Sequence, residues 1–281
     1  MSCLIDFHTH IFPDKIASKT IGFLSEKGGI PAYSDGTLSG LQAELTRANA
    51  NIGVALPVLT RPESFDSILR FAAQVNEGYF RGEHNVYSFA GIHPDCEDIE
   101  EKMSRIKQSG FKGVKLHPDY QQTFIDDERY IRILNAAIDE DLIVVTHAGF
   151  DVGYPECTHC TPKRTLHALE QLKGDVKLVL AHYSGCRMIE EAYELLAGRN
   201  VYLDTAYILP EISRELFVKM LEKHGVDKIL FATDSPWQSI SACVDILRSF
   251  SLPQEVEEKI LYKNASALLG SEVVQASHLS R

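Results

Sequence analysis

No run of 18 or more apolar residues occurs in this chain, so no membrane-spanning helix is expected. Its start, MSCLIDFHTH, lacks a basic stretch and an apolar core of leader length, and no signal peptide is expected. The six cysteines (Cys3, Cys96, Cys157, Cys160, Cys186, Cys243) show no disulfide-scaffold spacing, which fits a reducing, cytoplasmic setting. Positive charge is in the minority. With 28 Lys and Arg against 39 Asp and Glu, the net charge of -11 repels nucleic acid and anionic membranes at long range. No G-x-G-x-x-G follows the first strand-like run, which disfavours a dinucleotide-binding open sheet. Internal repeats, low-complexity tracts and linkers are lacking too. What these absences leave is small-molecule chemistry, with a homo-oligomer allowed.

What the chain has is alternation. Short apolar runs near 3–8, 52–58, 86–92, 112–117, 142–147, 176–182, 200–205 and 228–233 read as strands. Between them, 62–77, 97–109, 127–140 and 187–197 carry helical spacing and good helix formers. Pro62 and Pro162 suit first-turn positions, and Gly110, Gly174 and Gly225 fall where helices should stop. Eight strands alternating with helices predict an α/β fold, a (β/α)₈ TIM barrel, as one domain over 1–270. A doubly wound open sheet is the alternative. Residues 271–281 read as a peripheral tail. Two long connections, 11–36 and 149–162, follow strands on the face where such barrels do chemistry, and both are expected to act as lids.

The informative residues stand at the strand ends: LIDFHTH, LIVVTHAG, VKLVLAH and ILFATDS close on His8 and His10, His147, His182 and Asp234. In a strand, residues i and i+2 face the same side, so His8 and His10 aim two imidazoles at one point. Chance alone supplies roughly 0.4 H-x-H triplets in such a composition, so this triplet decides little by itself. Repetition decides more: six of the eleven histidines (also His93 and His117) lie at or just past an apolar run. Neutral imidazole and carboxylate are the ligands of zinc and related metals. A bound Zn²⁺ lowers the pKa of its water from ~15.7 towards ~7, and Asp234 beside it can take a proton and deliver it to a leaving group. Against this stand plainer readings, a helix cap for Asp234 and a hydrogen-bonded histidine for His182.

His93 in GIHPD and His117 in GVKLHPD would face the same mouth, as substrate contacts or as hydrogen-bond partners of ligands. Lys115 shares the phase of His117 and should enter the barrel, where it either becomes a carbamate bridging two metals or anchors a substrate carboxylate as an ammonium. Asp6 reads as an internal polar partner, and Tyr120, Gln121, Asp204 and Tyr207 as structural. Cys157, His159 and Cys160 form CTHC, too cramped for a zinc knuckle, with a pocket role open to His159.

DFHTHIFP, GIHPD, GVKLHPDYQ, VVTHAG, LVLAHYSG, VYLDTAY and FATDSPW together resemble the metal-dependent amidohydrolase superfamily, closest to its amidohydrolase-2 branch, from the first strand to KILYKNASALLG. The resemblance implies that His8 and His10 hold a first divalent metal with Asp234, most simply zinc. His147 and His182 would hold a second, or His147 would ligate and His182 assist the chemistry. It also implies a hydrolase of C–O or C–N bonds in a small, carboxylate-bearing substrate, or else a decarboxylase or hydratase of the same branch. Lys115 stands in a context similar to that of the carbamate-forming members such as the dihydroorotases. GIHPD is also similar to the superfamily's deoxyribonucleases, but those carry a glutamate where this chain has GVKLHP.

Overall fold

A computed structural model describes residues 3–277, and the sequence patterns appear in it as parallel strands joined by helices. The strands are β1 (Ile5–Thr9), β2 (Ile52–Ala55), β3 (Val86–Ser88), β4 (Ala90–Gly91), β5 (Gly113–Leu116), β6 (Ile143–Thr146), β7 (Lys177–Leu180), β8 (Tyr202–Asp204) and β9 (Ile229–Leu230). All eight expected runs are strands; the third is interrupted at Phe89 and yields β3 and β4. The helices are α1 (Asp14–Gly28), α2 (Leu38–Ala48), α3 (Phe65–Phe80), α4 (Ile99–Gln108), α5 (Glu128–Asp139) and α6 (Pro162–Glu170). They continue with α7 (Ile189–Leu195), α8 (Arg214–His224), α9 (Ile240–Ser249), α10 (Gln254–Glu258), α11 (Asn264–Leu269) and α12 (Ser271–Ala276).

The chain divides into two compact units. The first comprises Met1–Ala55, Gln74–Ser88 and Asp204–Arg281. In it β1, β2 and β3 pair in parallel and in sequence order. Phe7 N–H donates to Phe231 O and Thr205 N–H to Leu230 O, so β9 runs between β1 and the backbone at Thr205. Ile5, Phe7, Ile52, Val54, Leu230 and Phe231 are wholly buried, as expected of strands covered on both faces. The second unit comprises Leu56–Ala73 and Phe89–Leu203, and its parallel strands run β4-β5-β6-β7-β8. Val114, Leu116, Val144, Val145, Leu178 and Val179 form its buried strand core.

Two expectations change here. The 11–36 connection is not an irregular loop, because its greater part is α1. Asp14 in the first turn, Lys27 in the last and a left-handed Gly29 cap suit a helix. Its only buried residue is Ala17, so no amphipathic pattern announced it. The segment 271–276, expected in the peripheral tail, is a helix in which Val273 is buried and its carbonyl accepts the Tyr79 hydroxyl at 2.6 Å. The rest of that tail, 278–281, lies outside the described residues.

Candidate active site

In the first unit, backbone pairing draws three of the expected ligands together. Asp234 N–H donates to His8 O at 2.9 Å and His10 N–H to Ser235 O at 2.6 Å, which zips the end of β1 to the segment after β9. The side chains follow. His8 Nε2 and His10 Nε2 are 3.1 Å apart, and Asp234 Oδ1 lies 3.0 Å from the His10 nitrogen and 3.3 Å from the His8 nitrogen. A tetrahedral zinc site with bonds of about 2.0–2.1 Å has ligand-to-ligand edges of about 3.3 Å. The triplet therefore fits a divalent cation, and these atoms are one of two groups of metal-binding type among the described residues.

The tautomer of His8 strengthens the fit. Its Nδ1 is 2.8 Å from Asp204 Oδ2, and a carboxylate accepts, so the proton sits on Nδ1 and Nε2 presents a bare lone pair. Asp204 was expected to be structural, and it is the residue that aims His8. Asp6 is the internal polar partner foreseen: it accepts from His8 N–H, Thr233 N–H and the Thr233 hydroxyl. Burial pushes its carboxyl up to about 7, against the opposing pull of the Thr233 hydroxyl and those backbone bonds. Asp234 is not a helix cap. It holds a left-handed backbone (φ 64°), and its carbonyl accepts the Trp237 N–H at 2.9 Å in a tight turn. A non-glycine residue there costs about 1 kcal/mol or more, the kind of strain that collects at functional sites.

The second unit gathers His147, His182 and His117. Ala181 N–H donates to Thr146 O, and beyond the strands Gly149 and Cys186 form a parallel bridge. Gly149 has φ +86°, and a Cβ there would lie 2.2 Å from Cys186 N, so only glycine allows this approach. The bridge sets His182 Nε2 2.9 Å from His147 Nδ1. His182 itself opens a left-handed run with Tyr183 and Ser184 (φ 57°, 57° and 66°). Burial, then the neighbouring His117, His182 and Lys115, hold the His147 pKa well below the usual value, which keeps it neutral and able to ligate.

His117 stacks on His147 with centroids 4.3 Å apart and planes 8° from parallel, and Tyr120 stacks on its other face at 4.0 Å. Asp151, from the 149–162 loop, places Oδ2 3.3 Å from His117 Nε2. His117, His147 and Asp151 thus bring three ligand atoms within 4.8 Å of one another. One ion does not suit both rings, however. A metal binds in the plane of an imidazole, along its lone pair, and two stacked parallel rings share no such point. The Asp151 contact reads instead as a carboxylate–imidazole pair, and the carboxyl stays below its usual pKa because His117 and the Gly153 N–H outweigh the effect of burial.

Lys115 lies on β5 in register with Val145 and is 1% exposed. His93 is buried and its Nδ1 accepts the Asp95 N–H; burial holds its pKa below the usual value. His159 is buried against Phe124, with both its Nδ1 and its backbone N–H 2.9 Å from Asp119 Oδ1. CTHC is no metal cluster: Cys157 is exposed, while Cys160 is buried with its thiol pushed up to about 12. Gln121 is structural, its amide donating to Leu59 O and Ile92 O. Asp119 and Asp151 were missed from the sequence altogether.

The model of the amidohydrolase family matches residues 5–271. This chain belongs to the amidohydrolase family. The match falls in the amidohydrolase-2 branch that the motifs resemble. Among curated proteins no sequence matches it. Among solved structures it is similar to an uncharacterised TIM-barrel protein of Bordetella bronchiseptica (19% identity, TM-score 0.72), covering 95% of this chain and 98% of that one. It is also similar to a probable 2-pyrone-4,6-dicarboxylic acid hydrolase of Acinetobacter baumannii (16% identity, TM-score 0.67), covering 96% and 100%. A third is a dihydroxybenzoic acid decarboxylase of a Polaromonas species with bound manganese (15% identity, TM-score 0.67), covering 96% and 97%. These likenesses show the fold of this amidohydrolase, the expected (β/α)₈ barrel. The open-sheet alternative falls away. No helix among the described residues is long and apolar enough to cross a membrane.

Proposed function

We propose that this amidohydrolase is a metal-dependent hydrolase that cleaves a C–O or C–N bond in a small, carboxylate-bearing substrate. The observation that carries it is the convergence of His8 Nε2, His10 Nε2 and Asp234 Oδ1, all within 3.3 Å, on a His8 already oriented by Asp204. Such atoms repel one another unless a cation or proton lies between them. A divalent cation, zinc in the simplest case, would supply Lewis acidity there and ease ionisation of water. Asp234 takes the proton of the attacking water as its oxygen bonds to the scissile carbon, and returns that proton to the departing oxygen or nitrogen. His182 and His147, whose Nε2 and Nδ1 stand 2.9 Å apart, are the donors for a second ion; with one ion, His182 serves the chemistry by hydrogen bonding. Lys115, His93, His117 and His159 are proposed to meet the substrate, the lysine either through its carboxylate or, as a carbamate, through the ions. The setting proposed is the cytoplasm and the partner a small molecule.

A second reading, a decarboxylase or hydratase of an aromatic or unsaturated acid, is supported to the same degree by the likeness to the manganese-containing decarboxylase. One experiment separates the two. Protein loaded with Zn²⁺ or Mn²⁺ is offered lactones and amides of small carboxylic acids, and hydroxybenzoates, in ¹⁸O water. Label in a newly formed carboxyl group supports hydrolysis, and release of CO₂ supports the lyase. Turnover that persists in full after chelation sinks both.

A further inference from the structure

Asp119 is wholly buried, and its two carboxylate oxygens are used very differently. Oδ1 accepts the His159 backbone N–H at 2.9 Å and lies 2.9 Å from His159 Nδ1. Oδ2 has no hydrogen-bond partner, and neither does the buried His147 Nε2 that faces it at 3.7 Å. A buried acceptor and a buried ring nitrogen left so close, just outside hydrogen-bond range, are complementary only if the nitrogen carries the proton. A second carboxylate near that nitrogen, Asp151 Oδ2 at 4.0 Å, is already engaged by His117 at 3.3 Å.

We propose that Asp119 is a positioning residue that fixes His147 as its Nε2–H tautomer and so leaves Nδ1 a bare lone pair aimed at the point it shares with His182 Nε2. The inference rests on the reading of His147 as a ligand, and extends it to the group that prepares the ligand. Ligating histidines commonly give their other N–H to a carboxylate, which sets both ring orientation and basicity. Asp119 also ties that control to the 149–162 loop, because its other oxygen holds His159.

The substitution Asp119→Asn has an unusual consequence. The His159 backbone N–H is an obligate donor, so the amide oxygen must take the Oδ1 place, and the NH₂ group must then face His147 Nε2. A donor there drives the His147 proton onto Nδ1 and blocks the ligand position. Asp119→Ala removes the acceptor without putting a donor in its place, so it imposes no such preference. Asn should therefore harm metal binding more than Ala, although it keeps the shape of the carboxylate; a purely structural role gives the opposite order.

The test is ¹⁵N NMR of the histidine rings in the full chain, chelator-treated and zinc-loaded, together with Zn²⁺ titration of wild type, Asp119→Asn, Asp119→Ala and His147→Ala. The expected result is Nε2–H at His147 in the wild type and Nδ1–H in Asp119→Asn. Zn²⁺ affinity should fall about 10- to 100-fold in the Asn variant, and less in the Ala variant. A wild-type His147 protonated on Nδ1 overturns the proposal without any variant having to fold, as does an Asn variant with the wild-type tautomer. If His147→Ala binds Zn²⁺ as the wild type does, the ligand reading fails instead, while the tautomer measurement still judges Asp119.

Discussion

His8 Nδ1 and Asp204 Oδ2 lie 2.8 Å apart with both side chains at most 1% exposed, so a strand-end carboxylate determines which nitrogen of a strand-end histidine faces the candidate metal centre. Asp204 Oδ1 accepts the Ala206 backbone N–H, which pins the carboxylate in place. Asp204→Asn must then turn its NH₂ group towards His8 and shift the ring proton to Nε2. Metal affinity is expected to fall about 10- to 100-fold. Metal content after dialysis against limiting Zn²⁺ or Mn²⁺ measures it, and full retention would contradict the assignment.

His10→Ala and Asp234→Asn should each abolish metal-dependent turnover while circular dichroism stays that of the folded chain. Both side chains are only partly buried, at 13% and 14% exposure, so neither change opens a large core cavity. A His8→Ala, His10→Ala double variant with undiminished metal content and activity would remove the first ion site from the proposal.

Asp126 gives a pH prediction away from the site. Burial alone would raise its pKa, but His167 Nδ1 at 3.0 Å and Arg164 Nη1 at 2.8 Å overcome that and lower it. A carboxylate with a depressed folded-state pKa adds stability above its unfolded value of about 3.9, and that stability is lost as pH falls through the folded value. Asp126→Asn should therefore cost about 1 kcal/mol near neutrality and almost nothing in strong acid. Urea midpoints at the two pH values check this; an equal loss at both would show a packing effect.

Lys115 is wholly enclosed in the second unit, and its chemical state can be tested by rescue. Lys115→Ala should be inactive. A short carboxylate such as propionate restores turnover if the native group is a carbamate, and a small alkylammonium restores it if the native group is an ammonium. Full activity of the variant without either would remove Lys115 from the site.

The strands were legible because each is a short, nearly continuous apolar run, which is what burial on both faces demands. The break at Phe89 left no mark, since Val86, Phe89 and Ile92 are all buried alike. Helix α1 was not legible for the opposite reason: with Ala17 alone buried and Ile16 and Phe23 exposed, its sequence has no apolar stripe to read. Among site residues, His8 and His10 were nominated by strand phase and Asp234 by standing at the end of an apolar run, while their union as one ligand set came from the family resemblance. The same rule applied to VYLD would have nominated Asp204, the last residue of β8. Asp119 and Asp151 obey no such rule, because their positions depend on the turn after His117 and on a long loop whose course no periodicity encodes.

The turn that joins Asp234 to Trp237 gives the protein a built-in optical reporter. The chain has a single tryptophan, and its backbone N–H is bound to the carbonyl of the residue proposed as both ligand and base. Selective excitation of that indole thus samples one locality, free of any averaging over several emitters. Titration with a paramagnetic ion such as Mn²⁺ should quench it as the His8, His10 and Asp234 triplet fills. Occupancy of the centre becomes visible in unlabelled protein before any substrate is known.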